Sequence, residues 1–110
     1  MNTKQVAFEV GDNLNGVHRT GTLNMPYPEL VELLGEAPSG PSDDGKADVE
    51  WEVKSKENPS IRIGIWNFKN GPAYCGAGKT LESIDSFSLW AETQEQKEFA
   101  KELFGNKVEF

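Results

Sequence analysis

Residues 61–71, with the sequence IRIGIWNFKNG, restrict the fold more than any other part of the chain. Three isoleucines alternate with other residues in this run: Ile61, Ile63 and Ile65. In an extended strand these three side chains share one face of a sheet. Gly64, Trp66 and Phe68 then fall on the other face, and two aromatic rings make that face costly to expose to water. We therefore expect either a helix or a ligand to cover it.

A second alternating pattern precedes this run. Val49, Trp51 and Val53 alternate with charged residues, which predicts a strand with one buried and one wet face. Residues 57–60, Glu-Asn-Pro-Ser, are typical of a turn. The two strands, at residues 49–53 and 61–68, are therefore expected to form an antiparallel hairpin.

Two helices have clear start and stop signals. The first begins at about Pro28, which suits a first helical turn, and Gly35 ends it. The second begins after Thr93, because Thr93 and Gln96 form a capping box, and it extends to about Phe104. Apolar residues recur along one face of each helix, so both are expected to pack on a sheet.

The remaining patterns predict three more strands, at residues 6–10, 17–23 and 84–90, and polar or glycine-rich loops at residues 11–16, 39–45 and 70–80. The element order is β-β-α-β-β-β-α. We expect an α+β fold in which an antiparallel sheet of about five strands carries two helices on one face. At 110 residues the chain is expected to be a single domain over residues 1–110.

Composition excludes several functional classes. The net charge of −7 argues against direct nucleic-acid binding through a basic surface, and no apolar run approaches membrane-spanning length. The only cysteine, Cys75, cannot form an intramolecular disulfide and fits a reducing cytoplasm. Cys75 and the only histidine, His18, cannot make an ordinary structural zinc site, and we expect no metal and no cofactor.

Residues 76–80, Gly-Ala-Gly-Lys-Thr, resemble the end of a phosphate-binding loop. The full pattern needs a glycine where this chain has Ala73, and a long helix after Thr80, for which there is no room. A looser hypothesis is that backbone amides and Lys79 hold an anion without catalysis. A flexible hairpin loop is the simpler interpretation of these residues.

Aromatic and cationic residues at the end of the strand at residues 61–68 form the main candidate site. Flat rings can stack on a base, and lysines can hold a phosphate. In the alternative interpretation, Trp66 and Phe68 lie under the last helix against Phe99 and Leu103. The candidate ligand-binding residues are Lys46, Trp66, Asn67, Phe68, Lys69, Tyr74 and Lys79.

An acidic stretch precedes this site and contains Asp43, Asp44, Asp48, Glu50 and Glu52. The simpler interpretation is a solvated strand face. The functional alternative is negative charge directed at a basic groove of a partner protein. No histidine, nucleophile or metal-ligand pattern accompanies these carboxylates, and no catalytic constellation stands out elsewhere, so we expect a protein that is not an enzyme.

Several segments, taken in order, resemble a family of small bacteriophage proteins. They are GDNLNG at residues 11–16, YPELVELLGEAP at 27–38, Lys46 followed by Glu50 and Trp51, and IWNFKNG at 65–71. The chain departs from the family at residues 87–91, Phe-Ser-Leu-Trp-Ala, where the family has Trp-His-Ile-Gly-Gly. A role that depends on that histidine is therefore not expected of this chain.

The resemblance implies an accessory protein acting in the host cytoplasm, of the kind that counters bacterial defence. The leading hypothesis is a non-catalytic sponge, a homodimer or higher homo-oligomer, that sequesters a nucleotide-like immune signal. The alternative is an acidic inhibitor of the anti-CRISPR type that mimics nucleic acid and binds a host defence complex.

Overall fold

A computed structural model describes residues 7–14, 17–38, 45–76 and 78–110. These residues form six strands and three helices, which are Phe8–Gly11 (β1), Gly21–Leu23 (β2), Tyr27–Leu34 (α1), Glu50–Ser55 (β3), Arg62–Trp66 (β4), Pro72–Cys75 (α2), Phe87–Trp90 (β5), Gln94–Phe104 (α3) and Val108–Glu109 (β6). Two single 3₁₀ turns, Leu81–Ser83 and Gly105–Lys107, complete the regular structure of these ranges.

The strands form one antiparallel sheet in the order β1-β3-β4-β5-β2-β6, which confirms the predicted α+β class. The predicted hairpin is present as β3 and β4, with Trp51 opposite Ile65 and Val53 opposite Ile63. Because these partners lie on the same face, the two alternating patterns of the sequence merge into one apolar surface.

The first two strands along the chain are not neighbours in the sheet. β1 pairs with β3 at one edge of the sheet, whereas β2 lies between β5 and β6. The β1–β2 connection, which we call the crossing segment, therefore joins strands that are four strand positions apart, or about 19 Å at the usual strand spacing. The sheet has six strands rather than about five, because the two-residue strand β6 is too short to leave a periodic signal.

The core lies on the face of the sheet that α1 and α3 cover. Trp51 is fully buried at its centre, with its ring edge-on to Phe87 at 6.0 Å between centroids. Its indole N–H donates to the carbonyl oxygen of Gly35 at 3.0 Å and so ties the end of α1 to β3. The helices contribute these buried apolar residues: Leu30, Leu34, Phe99, Ala100 and Phe104.

The capping box predicted for the last helix is present. Thr93 Oγ1 accepts from the N–H of Gln96, and Gln96 Oε1 accepts from the N–H of Thr93. Gln96 Nε2 also donates to the carbonyl oxygen of Arg62 at 2.6 Å. Gln96, whose side chain takes part in capping the start of α3, therefore also attaches the helix to β4.

At its centre, the outer face of the sheet is covered by the crossing segment. Leu14, in the crossing segment, lies against Gly64, where a Cβ would approach its Cδ2 to 2.8 Å. Arg62 donates to the carbonyl oxygen of Asn13 at 2.9 Å and to Glu52 at 2.9 Å. Its guanidinium lies 5.0 Å from the ring centroid of Trp90.

Some sequence predictions fall outside the described residues. They are the first residue of the strand at 6–10, residues 15–16 of the first turn, residues 39–44 of the polar loop, and Ala77 of the glycine-rich run. Within the described ranges, each helix is too short and too polar to cross a membrane.

Candidate functional site

The segment that follows β4 presents two exposed aromatic rings with a lysine between them. Phe68 is 49% exposed and Tyr74 is 54% exposed. Lys69 Nζ lies 5.2 Å from the centroid of Phe68 and 5.4 Å from that of Tyr74. We call these three residues the aromatic–lysine cluster.

A buried amide holds the base of this cluster. Asn67 is fully buried, and its Oδ1 accepts from the N–H groups of Asp48 and Val49 at 2.7 and 3.0 Å. Its Nδ2 donates to Asp48 Oδ2 at 2.9 Å. Asn67 was a candidate ligand residue, but its side chain faces inward and fixes the start of the loop.

Asp48 joins the same loop at a second point. Its Oδ1 accepts from the N–H of Ala73 at 2.8 Å, at the start of α2. Gly71 packs against this carboxylate so closely that a Cβ there would collide with it. Asp48 and Asn67 therefore fix both ends of the segment that carries Phe68 and Lys69, because buried polar groups in a complete network have one low-energy arrangement.

The backbone of Lys69 adopts a conformation that is uncommon for a residue with a side chain. Its φ is +59°, in the left-handed region. The N–H of Lys69 donates to the carbonyl oxygen of Lys46 at 2.7 Å, and the thiol of Cys75 donates to the carbonyl oxygen of Lys69 at 3.3 Å. The hydrogen bonds on both sides of Lys69 maintain this conformation.

Five of the candidate ligand residues lie close together: Lys46, Asn67, Phe68, Lys69 and Tyr74. The other two, Trp66 and Lys79, lie in other parts of the fold. Trp66 is half-buried on the outer face of β4, opposite Ser88 and Glu50. Lys79 lies beyond α2 in a turn that its N–H closes on Gly76 at 3.1 Å.

One interpretation from the sequence is corrected by this geometry, and the exclusion of a nucleotide-hydrolysing loop agrees with it. Phe68 is exposed, so its expected packing under the last helix is wrong, and Trp66 lies on the face opposite the core that contains Phe99. The 3₁₀ turn Leu81–Ser83, and no long helix, follows residues 76–80. A 3₁₀ turn and a short strand after a glycine-rich loop differ from the strand–loop–helix arrangement of a nucleotide hydrolase.

The acidic stretch is not a solvated strand face. Asp48 is buried in the network above, and Glu52 is only 4% exposed and lies 2.9 Å from Arg62. Glu50 is partly buried, and Asp43 and Asp44 lie outside the described residues. A paired carboxylate and an unpaired one look identical in a sequence, which is why the pattern was misread.

The titratable residues His18 and Tyr27 lie outside the aromatic–lysine cluster. His18 Nε2 lies 3.7 Å from Glu92 Oε2, and both side chains are exposed. Partial burial, together with the negative charges of Glu36 and Glu82, raises the pKa of Tyr27 above that of an ordinary tyrosine. Among the described residues, no group of three or more metal-ligating side chains is present.

Comparison of the chain with protein-family models, curated proteins and solved structures gave no match.

Proposed function

We propose that this protein is a non-catalytic binding module that holds a nucleotide-like ligand on the aromatic–lysine cluster. The observation that carries the proposal is the placement of the Lys69 ammonium between two exposed rings, Phe68 and Tyr74. A base has a π-face that stacks on such rings, and a phosphate pairs with the ammonium. Base stacking on an aromatic side chain contributes about 1–3 kcal/mol for each base.

The rigidity of the loop supports binding over a chance exposure of apolar side chains. Exposed rings on a mobile loop would lose conformational entropy when a ligand bound. Here Asn67 and Asp48 fix the backbone on both sides of Lys69 before any ligand arrives. The uncommon φ of Lys69 is a further argument, since such conformations concentrate at functional sites.

The biological role that we propose follows from the resemblance to small bacteriophage proteins. In that role the protein acts in the host cytoplasm and sequesters a nucleotide immune signal, so that the signal no longer activates a defence effector. Assembly as a homodimer would place two clusters around one ligand and exclude it from water.

The test is to incubate the protein with a panel of cyclic and ADP-ribose-type nucleotides and remove the unbound fraction. Heating then releases the bound molecules for mass spectrometry. We expect one intact nucleotide to be recovered, and titration calorimetry then gives its affinity. Recovery of a cleaved nucleotide would contradict the non-catalytic proposal, and recovery of none would refute nucleotide binding.

Paired variants locate the site. Lys69→Ala keeps a Cβ, and so a similar backbone strain, but removes the ammonium, and we expect ligand retention to be lost with folding intact. Tyr74→Leu keeps an apolar side chain but removes the π-face, and we expect affinity to fall about tenfold. The control is Lys56→Ala, which removes an exposed lysine from the β3–β4 turn. Equal losses in Lys56→Ala and Lys69→Ala would show that binding is not at the cluster.

The alternative proposal is an acidic protein-binding inhibitor. Burial of Asp48 and Glu52 removes the stretch that first suggested it. Charge reversal at residues 43–52 is therefore a poor test, because the paired carboxylates at 48 and 52 support folding. Exposed carboxylates elsewhere include those of Glu95 and Glu98 on α3, and they have a separate consequence.

A further inference from the structure

A groove separates the start of α3 from the turn between β3 and β4. Its volume is about 470 Å³, within the range of about 300–1,000 Å³ that is usual for binding sites. It is lined by none of the aromatic–lysine cluster, so an inference about it stands independently of the proposed function. The lining residues that matter are Glu57, Ile61, Glu95, Glu98, Phe99 and Glu102.

The charges on α3 are segregated rather than mixed. Glu95, Glu98 and Glu102 are spaced by three and four residues, so they form one stripe on the helix, which faces the groove. Glu98 and Glu102 are four residues apart, so their side chains are neighbours on the helix surface. A helix that served only as a solvated surface would gain by alternating glutamate and lysine along this stripe.

The lysines of the same helix are engaged elsewhere. Lys97 Nζ and Lys101 Nζ lie 5.4 and 6.0 Å from the ring centroid of Phe110, which is not part of the groove lining. Lys101 contributes to the lining, but its ammonium is held toward this ring. Four carboxylates and one lysine line the groove, so its lining is net negative.

An apolar surface lies between the carboxylates. Phe99 is buried and Ile61 is half-buried, and both contribute to the groove and to the core beneath it. Glu57 adds a carboxylate from the opposite wall, on the β3–β4 turn. An apolar floor between acidic walls is complementary to a peptide that has apolar and cationic side chains, and it repels nucleic acid.

We propose that this groove docks a cationic amphipathic segment of a partner protein. The apolar side chains of the segment would contact Phe99 and Ile61. Its lysines or arginines would pair with Glu57 on one wall and Glu98 on the other.

The test uses fluorescence anisotropy with three labelled peptides of equal length. One alternates lysine and leucine, one alternates lysine and serine, and one alternates glutamate and leucine. We expect the lysine–leucine peptide to bind about tenfold more tightly than the lysine–serine peptide, with affinity falling as salt is raised, and the glutamate–leucine peptide not to bind. Failure of the first peptide to bind, or equal binding of the first two, would overturn the proposal.

Two charge-matched double variants separate the groove from overall charge. Glu57→Lys with Glu98→Lys reverses both walls, and we expect a loss of affinity of about tenfold or more. Glu32→Lys with Glu36→Lys makes the same change in net charge on exposed residues at α1, and we expect less than about a twofold change. Equal losses in the two variants would mean that the peptide reads net charge only, which overturns the proposal.

Circular dichroism establishes that both variants fold. If the charge reversal unfolds α3, the isosteric pair Glu57→Gln with Glu98→Gln replaces it, and we expect a loss of about threefold or more. Unchanged affinity in this folded pair would refute docking at the groove. Ile61→Ser tests the apolar floor independently. We expect it to weaken binding of the lysine–leucine peptide and to leave the weaker binding of the lysine–serine peptide unchanged.

Discussion

The two faces of the sheet are closed in different ways. On the inner face, α1 and α3 bury a continuous apolar surface around Trp51. On the outer face, the crossing segment is held by Leu14 against Gly64 and by one hydrogen bond from Arg62 to Asn13, while Arg62 also donates to Glu52 on β3. The stability of the inner face depends on buried apolar area, which many apolar sequences can supply. The stability of the outer face depends on a few specific contacts.

The largest expected effect is on the inner face. Trp51→Ala removes the central ring and its hydrogen bond to Gly35, and we expect a loss of about 3–5 kcal/mol in the free energy of unfolding. Trp51→Phe keeps most of the ring and should cost less than half of this. Urea denaturation followed by circular dichroism measures both, and a loss below about 1 kcal/mol for Trp51→Ala would contradict the placement of the core.

The next effect tests the outer face. Arg62→Met leaves the Glu52 carboxylate buried without its partner, and we expect a loss of about 3 kcal/mol. Adding Glu52→Leu removes the unpaired charge, so the double variant should recover much of the stability. If the double variant is no more stable than Arg62→Met alone, the pair is not the reason for the loss.

A smaller effect is expected where the crossing segment touches the sheet. Valine is usually favoured over glycine in a strand, but Gly64→Val places methyl groups against Leu14, and we expect a loss of about 1–2 kcal/mol. Leu14→Ala in the same chain should reduce that loss, since it frees the space. Thermal unfolding of the four proteins gives the coupling, and a stabilising Gly64→Val would place Leu14 elsewhere.

The smallest effect is a pH dependence. Because the pKa of Tyr27 is raised in the folded protein, the unfolded chain releases this phenolic proton first as the pH rises past about 10. The free energy of unfolding should therefore fall more steeply above that pH in the wild type than in Tyr27→Phe. Identical slopes would show that the environment of Tyr27 does not discriminate between its two protonation states.

The helices and strands that have a periodic pattern or a capping motif were predicted from the sequence. The alternation of Val49, Trp51 and Val53 with the three isoleucines predicted the β3–β4 hairpin with its buried face, and the capping box at Thr93 predicted the start of α3. Such signals depend only on neighbours in the chain. The order of strands in the sheet depends instead on residues far apart in the chain. A three-residue strand such as Gly21–Leu23 has too little pattern to indicate which strand it pairs with.

The candidate site was predicted in part, for a similar reason. Residue type predicted that Phe68, Lys69 and Tyr74 would offer rings and charge, and the structure brings them together. Residue type alone did not indicate that Asn67 faces inward, whereas strand alternation places it on the core side, two residues after Ile65. The direction of Asn67 was available from the period of the strand, and its polar side chain concealed it.

The position of β2 has a consequence for how the protein matures. This strand is made early in synthesis, but both of its hydrogen-bonding neighbours, β5 and β6, are made last. A ribosome-bound chain can complete the β3–β4 hairpin and the pairing with β1, while β2 has no partner until residues 87–109 have emerged. Its final placement is therefore a late, long-range event, which slows folding and leaves a strand edge open to association with other chains meanwhile.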